Sequence, residues 1–147
     1  MEGILLDIIL MRVLLLIVGM SWALLVKAEE LLVIASPQVP ESSITVEQLA
    51  DIFTLKKNFW ANRIQMVPVN REAKSLEREK FSEQVFNLPP QELAEYWNRL
   101  RFQGKLPPVI QTSDQAVLSF VRNVPGAIGY INASQNPKGV KILLQIP

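Results

Sequence analysis

The stretch "IQMVPVNREAKSLEREKF", residues 64–81, passes directly from an apolar segment into a charged one. Its first six residues predict a β-strand, and Pro68 among them indicates a sheet edge or a strand end. The charged part predicts a helix over residues 74–87, which leaves Arg71 at the junction between the two. A strand that leads into a helix is the repeating unit of α/β folds with a parallel sheet.

The rest of the chain repeats this alternation. Short apolar runs between turn residues predict four further strands, at 31–36, 109–111, 127–131 and 140–146. Three further helices are predicted at 45–55, after a capping box of Thr45 and Gln48, from Pro90 onward, and after a cap at Thr112 or Ser113. The predicted buried stripes of the four helices are Val46, Leu49, Ile52 and Phe53; Leu76, Phe81 and Val85; Leu93, Tyr96, Trp97 and Leu100; and Val117, Phe120, Val121 and Val124. The predicted fold class is α/β, a single three-layer lobe with a mostly parallel sheet.

Composition excludes several kinds of chemistry. The 147 residues include no histidine and no cysteine, which removes thiol nucleophiles, disulfides, Cys/His metal sites and a histidine general base. Lysine and arginine together number 15 against 14 for aspartate and glutamate, and the net charge of +1 gives no electrostatic basis for nucleic-acid binding. We therefore expect no enzyme activity, no metal, no cofactor and no nucleic-acid partner.

Residues 1–28 are predicted to contain a signal peptide. Arg12 precedes an apolar run over 13–26, and Val and Ala at positions −3 and −1 favour cleavage after Ala28. The run is shorter than the ~18–20 residues that span a bilayer, and a retained N-terminal anchor is the alternative. Two acidic residues in 1–10 do not suit the positive start of a leader, so Met11 is the expected first residue. The mature chain, residues 29–147, is then one periplasmic lobe.

Four segments, in this order, resemble a known family. They are "ITVEQLADIFTLKKNFW" (44–60), "VPVNREAKSLEREKF" (67–81), "LAEYWNRLRFQGKLPP" (93–108) and "VPGAIGYI" (124–131). The chain is similar to the phosphate-binding proteins of bacterial ABC importers, and more closely to the short, single-lobe members of that superfamily. The resemblance implies a type II periplasmic-binding-protein fold, which full-length relatives use twice, as two lobes that close on an oxyanion.

The resemblance also implies a ligand site at the junction after the second strand. In relatives the phosphate loop reads Arg-x-Asp-Gly-Ser-Gly-Thr, and Arg71 matches its arginine and Ser75 its serine. A helix N-terminus offers free N–H groups and a positive dipole, and an arginine adds a bidentate fork. Asn70 beside the junction and Arg78 in the first helical turn complete the set. Ser36 is added because it ends the first strand, at the edge where open α/β sheets place their ligands.

Alternatives to a ligand site are open at the same residues. Ala73 and Glu77 stand where the phosphate loop has its aspartate and threonine, and both loop glycines are replaced, which removes the close approach of the backbone to a ligand. For Arg71 and Ser75 the favoured alternative is that they cap and solvate the start of a helix. Ser36 could equally be a turn residue. Three aromatic residues could line a cleft or belong to the core, namely Trp60, Tyr96 and Trp97.

Two functions fit these observations. The first is a periplasmic solute-binding-like protein for phosphate or a related oxyanion, related to the substrate-binding component of phosphate ABC importers. The second is an accessory or interaction module for an envelope partner, such as a sensor kinase or a membrane transporter, without useful solute binding. The sequence leaves the identity of the ligand, the partner and the oligomeric state open.

Overall fold

A computed structural model describes residues 3–4 and 29–147. The predicted signal peptide, its cleavage site and the expected start at Met11 lie outside the described residues, apart from residues 3–4. No helix in the described part of the chain is both long enough and apolar enough to cross a bilayer.

Strands and helices alternate along the described chain, as predicted. The strands are β1 (Leu31–Ala35), β2 (Val67–Arg71), β3 (Val109–Gln111), β4 (Ala127–Asn132) and β5 (Lys141–Ile146). The helices are α1 (Val46–Phe53), α2 (Leu76–Phe86), α3 (Ala94–Phe102) and α4 (Asp114–Asn123), and a short 3-10 helix over Pro90–Leu93 leads into α3.

Side-chain caps set the starts of α1 and α4. Thr45 and Gln48 form the predicted capping box, with the Gln48 N–H donating to Thr45 Oγ1 at 3.2 Å and the Thr45 N–H donating to Gln48 Oε1 at 2.9 Å. Ser113 caps α4 and accepts from the Ala116 N–H at 3.0 Å. These caps satisfy backbone donors that a helix start otherwise leaves unpaired.

The start of α2 differs from the prediction. Ser75 is its cap, so the helix begins at Leu76 and not at residue 74. The prediction that Leu76 is buried is wrong, since this side chain is 67% exposed, whereas Phe81 is fully buried as expected. The reason is the helical period: at 3.6 residues per turn, two residues five apart point about 140° away from each other and cannot both face the sheet.

The five strands form one mixed sheet in the order β3-β2-β4-β1-β5. β2 pairs in parallel with β3 and β4, while β1 is antiparallel to both β4 and β5. Four strands therefore end at the same edge, which we call the carboxyl edge, and β1 alone ends at the opposite edge. Pro68 lies at the start of β2, before its pairing with β3 begins at Val69, so its missing N–H removes no bond to β3.

Helices cover both faces of the sheet, which gives the predicted three layers. On one face, α1 and α2 enclose the larger core, in which the rings of Phe81 and Tyr130 stack 3.9 Å apart and Phe53 lies 4.7 Å from Phe81. On the other face, α4 packs Val117 and Val121 against apolar residues of β1, β2 and β4. Burial on two faces explains why β1 and β4 are continuous apolar runs that do not alternate with polar residues.

The turn before β4 requires a glycine. Gly126 has φ +79°, and a Cβ added there would lie 2.1 Å from the carbonyl oxygen of Gln65. The Gly126 carbonyl oxygen accepts from Trp60 Nε1 at 2.9 Å and from the Val67 N–H at 3.1 Å. This close approach holds the segment before β2 against the start of β4.

We expect Gly126→Ala to destabilise the fold more than Gly104→Ala. Both glycines have positive φ, +79° and +76°, but Gly104 has no heavy atom within 4 Å of an added Cβ. The control should lose about 1–2 kcal/mol from backbone strain, and Gly126→Ala about 1–3 kcal/mol more from the clash. Urea unfolding of both variants measures the difference, and equal losses would contradict the close packing at Gly126.

Candidate functional site

Arg71 ends β2 and is enclosed by carboxylates. The residue is only 7% exposed. Its Nε lies 3.0 Å from Glu72 Oε2, its Nη1 lies 3.5 Å from Glu77 Oε2, and Nη1 also donates to Asp114 Oδ1. Because Glu77 belongs to α2 and Asp114 is the first residue of α4, the guanidinium joins the end of β2 to two helices. Its ion-pairing capacity is used inside the protein.

Three members of this cluster, Arg71, Asp114 and Glu72, have pKa values shifted from their usual values. Burial alone would lower the pKa of Arg71, but the neighbouring carboxylates raise it above its usual value. Burial raises the pKa of Asp114, although the Asn132 N–H donates to its Oδ2 at 3.1 Å and the charge of Arg71 favours the carboxylate. The hydrogen bond from Arg71 lowers the pKa of Glu72. Three carboxylates around one guanidinium carry excess negative charge, which repels a further anion.

Ser75 has the capping role that the sequence left open as an alternative. Its Oγ accepts from the Arg78 N–H at 3.1 Å and donates to the Glu72 carbonyl oxygen at 3.0 Å. A serine hydroxyl has a single proton to donate, and that proton is used here. Ser75 therefore stabilises the start of α2, and its hydroxyl donor is engaged within the loop.

Ser36 does not join the other predicted site residues. It is fully buried and follows β1, where its N–H donates to the carbonyl oxygen of Ala127 at 2.9 Å. Ala127 begins β4 and pairs with Val67 at the beginning of β2, so Ser36 lies at the edge opposite to Arg71. The prediction that it shares their site is wrong. It assumed that β1 runs parallel to its neighbours, whereas β1 runs against them.

Asn70 and Arg71 point to opposite faces of β2, since successive side chains of a strand alternate. Val69 packs on the α4 side, and Asn70 therefore faces the side of α2 and α3. There it lines an open cleft of about 340 Å³ together with Arg78. We call this the arginine cleft; it is lined by Asn70, Arg78, Ala94, Trp97, Asn98, Arg101, Pro107, Pro108 and Ile110. No aspartate or glutamate is among these lining residues.

A buried hydrogen-bond chain orients Asn70. Its Oδ1 accepts from the Tyr130 hydroxyl at 3.0 Å, and that hydroxyl accepts from the Arg71 N–H at 3.1 Å. Burial raises the pKa of Tyr130 to about 12, so the phenol remains a neutral donor at any physiological pH. Asn70 is 6% exposed, and within residues 29–147 its amide NH2 makes no hydrogen bond. With the oxygen engaged, the NH2 group is the one available to the cleft.

The two arginines of the cleft differ in how they are held. Arg78 Nη1 donates to the carbonyl oxygen of Arg71 at 3.1 Å, which fixes the side chain at the first turn of α2. Arg101 lies in the last turn of α3 and is exposed. Neither guanidinium forms an ion pair with a described residue. Both therefore retain N–H donors that are free of carboxylates.

Sequence reasoning missed two polar residues of the cleft, Asn98 and Arg101. A signal for them exists, because Ala94, Trp97, Asn98 and Arg101 follow the i, i+3, i+4, i+7 spacing that places residues on one helix face. The prediction followed only the apolar stripe of α3. Trp97 is half-buried and lines the cleft, and Tyr96, also half-buried, donates from its hydroxyl to the Thr54 carbonyl oxygen.

A second, more apolar cleft of about 590 Å³ lies beside the first and shares Pro107 and Pro108 with it. Its walls include Phe59, Leu106 and Val109, which are 59%, 77% and 41% exposed. β3 is the edge strand here, so this apolar surface borders a free sheet edge.

Solved structures share this fold. No family model matches the sequence, and no curated protein matches it significantly. A candidate phosphate ABC transporter substrate-binding protein with bound phosphate, from Clostridium perfringens, matches with a TM-score of 0.64 and 25% identity. PstS from Borrelia burgdorferi matches with a TM-score of 0.61 and 22% identity. An ABC-type phosphate transport receptor from Vibrio cholerae matches with a TM-score of 0.61 and 19% identity.

Each match covers 78% of this chain but less than half of the other, namely 44%, 46% and 45% in the same order. The predicted resemblance to phosphate ABC transporter substrate-binding proteins is thus confirmed as a likeness of fold. The predicted α/β class and the periplasmic-binding-protein architecture are confirmed with it.

We expect Arg71→Met to destabilise the fold by about 3–5 kcal/mol at pH 7, because it leaves partly buried carboxylates without their counter-charge. Arg99→Met, on an exposed position of α3, is the matched control and should change stability by less than about 0.5 kcal/mol. Chemical denaturation of both variants measures these losses.

The stability loss caused by Arg71→Met should become smaller as the pH falls. In the wild type, the lowered pKa of Glu72 contributes stability that is present above its unfolded-state pKa and is lost in acid. In Arg71→Met the folded-state pKa values of Glu72 and Asp114 rise because the charge of Arg71 no longer lowers them, so protonation stabilises the variant relative to the wild type. A gap between wild type and variant that stays constant from pH 7 to about pH 4 would contradict the electrostatic role of Arg71.

Proposed function

We propose that the chain is a periplasmic solute-binding-like protein that binds phosphate or a related oxyanion, related to the substrate-binding component of phosphate ABC importers. The arginine cleft is the observation that carries this proposal. It combines two guanidinium groups with the amide NH2 of Asn70, and its lining includes no carboxylate. Arginine forks and amide donors are the groups with which proteins recognise tetrahedral oxyanions.

Electrostatics favour the cleft over the junction at Arg71. Two unit charges 4 Å apart interact by about 4 kcal/mol at an effective dielectric constant of about 20. At Arg71 this attraction is already used by Glu72, Glu77 and Asp114, and an incoming anion would meet their repulsion. At Arg78 and Arg101 no carboxylate competes. Of the residues predicted from the sequence, Asn70 and Arg78 are the ones we propose as ligand contacts.

Arg71 then acts as a positioning residue. Its carbonyl oxygen holds Arg78, and its N–H holds the Tyr130 hydroxyl that orients Asn70. Ser75 contributes by capping the helix that carries Arg78. The junction that the sequence predicted as the binding site thus positions the residues of the arginine cleft on the α2 and α3 side of the sheet.

Export to the periplasm and a membrane transporter partner are part of the proposal. The solved structures that share the fold are phosphate-transport proteins by name, which supports a binding role and not an enzymatic one. We propose that the leader ends at Ala28 and that residues 29–147 form the exported lobe.

N-terminal sequencing of the exported protein should give Glu29 as the first residue, and a start within residues 1–28 would contradict the cleavage.

A second candidate function rests on a different observation. Three exposed apolar residues line the second cleft, namely Phe59, Leu106 and Val109, and exposed apolar patches mark sites of protein contact. This surface favours an interaction module for an envelope partner such as a sensor kinase or a transporter. The two candidates differ in whether the isolated lobe binds a small anion.

Titration calorimetry with inorganic phosphate tests the proposal. The wild-type protein should bind phosphate at millimolar concentration or below, and Arg101→Gln should weaken binding about 10-fold or more, as expected for a lost hydrogen bond to a charged group. Arg99→Gln removes a charge from the same helix outside the cleft and should leave the affinity within about twofold, because screening weakens exposed charges beyond the site.

Two outcomes would overturn this assignment. An equal loss of phosphate affinity in Arg99→Gln and Arg101→Gln would show a general charge effect and would exclude the arginine cleft as the binding site. An absence of binding to the folded wild type at millimolar phosphate would contradict the first function and leave the interaction module as the supported one.

A further inference from the structure

The arginine cleft is larger and more apolar than inorganic phosphate requires. At a share of about 30 Å³ per water molecule, a five-atom phosphate displaces on the order of three waters, or about 100 Å³. The cleft measures about 340 Å³. The remaining space borders Trp97, Ile110 and Pro108, which offer no hydrogen bonds to a hydrated ion from their aliphatic and ring surfaces.

We propose that the cleft takes an organic phosphate monoester, with the phosphoryl group on Arg78, Arg101 and Asn70 and the organic part against Trp97 and Ile110. The inference rests on the proposed function, since it assigns the ligand class to the same cleft. A monoester carries a charge of about −1.5 to −2 at pH 7, which matches the two guanidinium groups of the site. Pockets for small organic molecules commonly combine a few polar groups with an apolar wall and begin at about 300 Å³.

The helix geometry places the two kinds of contact side by side. Trp97 and Arg101 are four residues apart on α3, so their side chains emerge from the same face at about 5–6 Å between Cβ atoms. A ligand that joins an anionic group to a ring or alkyl body by one or two bonds spans that distance. The apolar body and the phosphoryl group can therefore reach both contacts at once.

Trp97 is held in place before a ligand arrives. Its ring packs edge-to-face against Tyr96, with the centroids 5.1 Å apart and an interplanar angle of 78°. Tyr96 in turn donates its hydroxyl to the carbonyl oxygen of Thr54, which ties α3 to the end of α1. A preorganised aromatic wall costs little conformational entropy on binding. The ring face of such a wall serves an apolar ligand group, and inorganic phosphate has no apolar surface to place against it.

The test compares three probes by titration calorimetry: inorganic phosphate, phenyl phosphate and phenol. The wild type should bind phenyl phosphate about 10-fold or more tightly than inorganic phosphate, in line with the stacking energy of a ring on an aromatic side chain. Phenol alone should bind at least about 10-fold more weakly than phenyl phosphate, because it lacks the charged contacts.

Trp97→Ala should remove the advantage of phenyl phosphate and leave the affinity for inorganic phosphate within about twofold, because only the organic part contacts the indole. Trp97→Phe keeps a ring and should retain most of the preference, and it serves if the alanine variant does not fold. Phe102→Ala is the matched control and should leave both affinities within about twofold, since Phe102 lies on the same helix and is 94% exposed but does not line the cleft.

The outcomes separate this inference from the proposed function. Equal affinities for phosphate and phenyl phosphate, or a preference that survives Trp97→Ala, would overturn the organic ligand while leaving oxyanion binding intact. Binding of phenol as tightly as phenyl phosphate would also overturn it, because the arginines would then play no part. An absence of binding for both anions would overturn the proposed function itself.

Discussion

The buried guanidinium of Arg71 is the interaction on which the carboxyl edge of the sheet depends. It closes β2 and ties the starts of α2 and α4 to that strand through three carboxylates. Its backbone continues the same role, because the N–H and the carbonyl oxygen of Arg71 fix Tyr130 and Arg78. Removing one partner of a buried ion cluster is costly because it leaves the remaining charges without compensation, so the cluster holds these elements together as a unit. The positions of Asn70 and Arg78 in the neighbouring arginine cleft depend on this arrangement.

Much of the fold follows from local signals in the sequence. The capping box of Thr45, the cap at Ser113 and the glycine turn at Gly126 each have a physical cause that short-range patterns reveal. The direction of β1 does not, because its five residues are apolar and buried on both faces, and such a run is equally compatible with parallel and antiparallel pairing. The misplacement of Ser36 follows from that single ambiguity.

The candidate site was only partly predictable, for a reason that lies in strand alternation. Asn70 and Arg71 are adjacent in sequence yet face different layers, and the match to a phosphate loop says nothing about which face retains free donors. The carboxylate of Asp114 comes from a helix 43 residues further on, so its pairing with Arg71 is a tertiary fact. By contrast, the position of Arg101 in the cleft can be predicted from the sequence, because its spacing from Trp97 places both residues on one face of α3.

The reversal of β1 also determines at which edge the first and last strands of the described fold begin and finish. Leu31 pairs with Asn132 and with Ile146, so β1 begins and β5 finishes at the carboxyl edge, where β2 also ends. A fluorophore or a tether attached near Leu31 or Ile146 would therefore lie on the same edge of the sheet as Arg71 and not on the opposite edge. Both places suit a reporter of ligand occupancy at that edge.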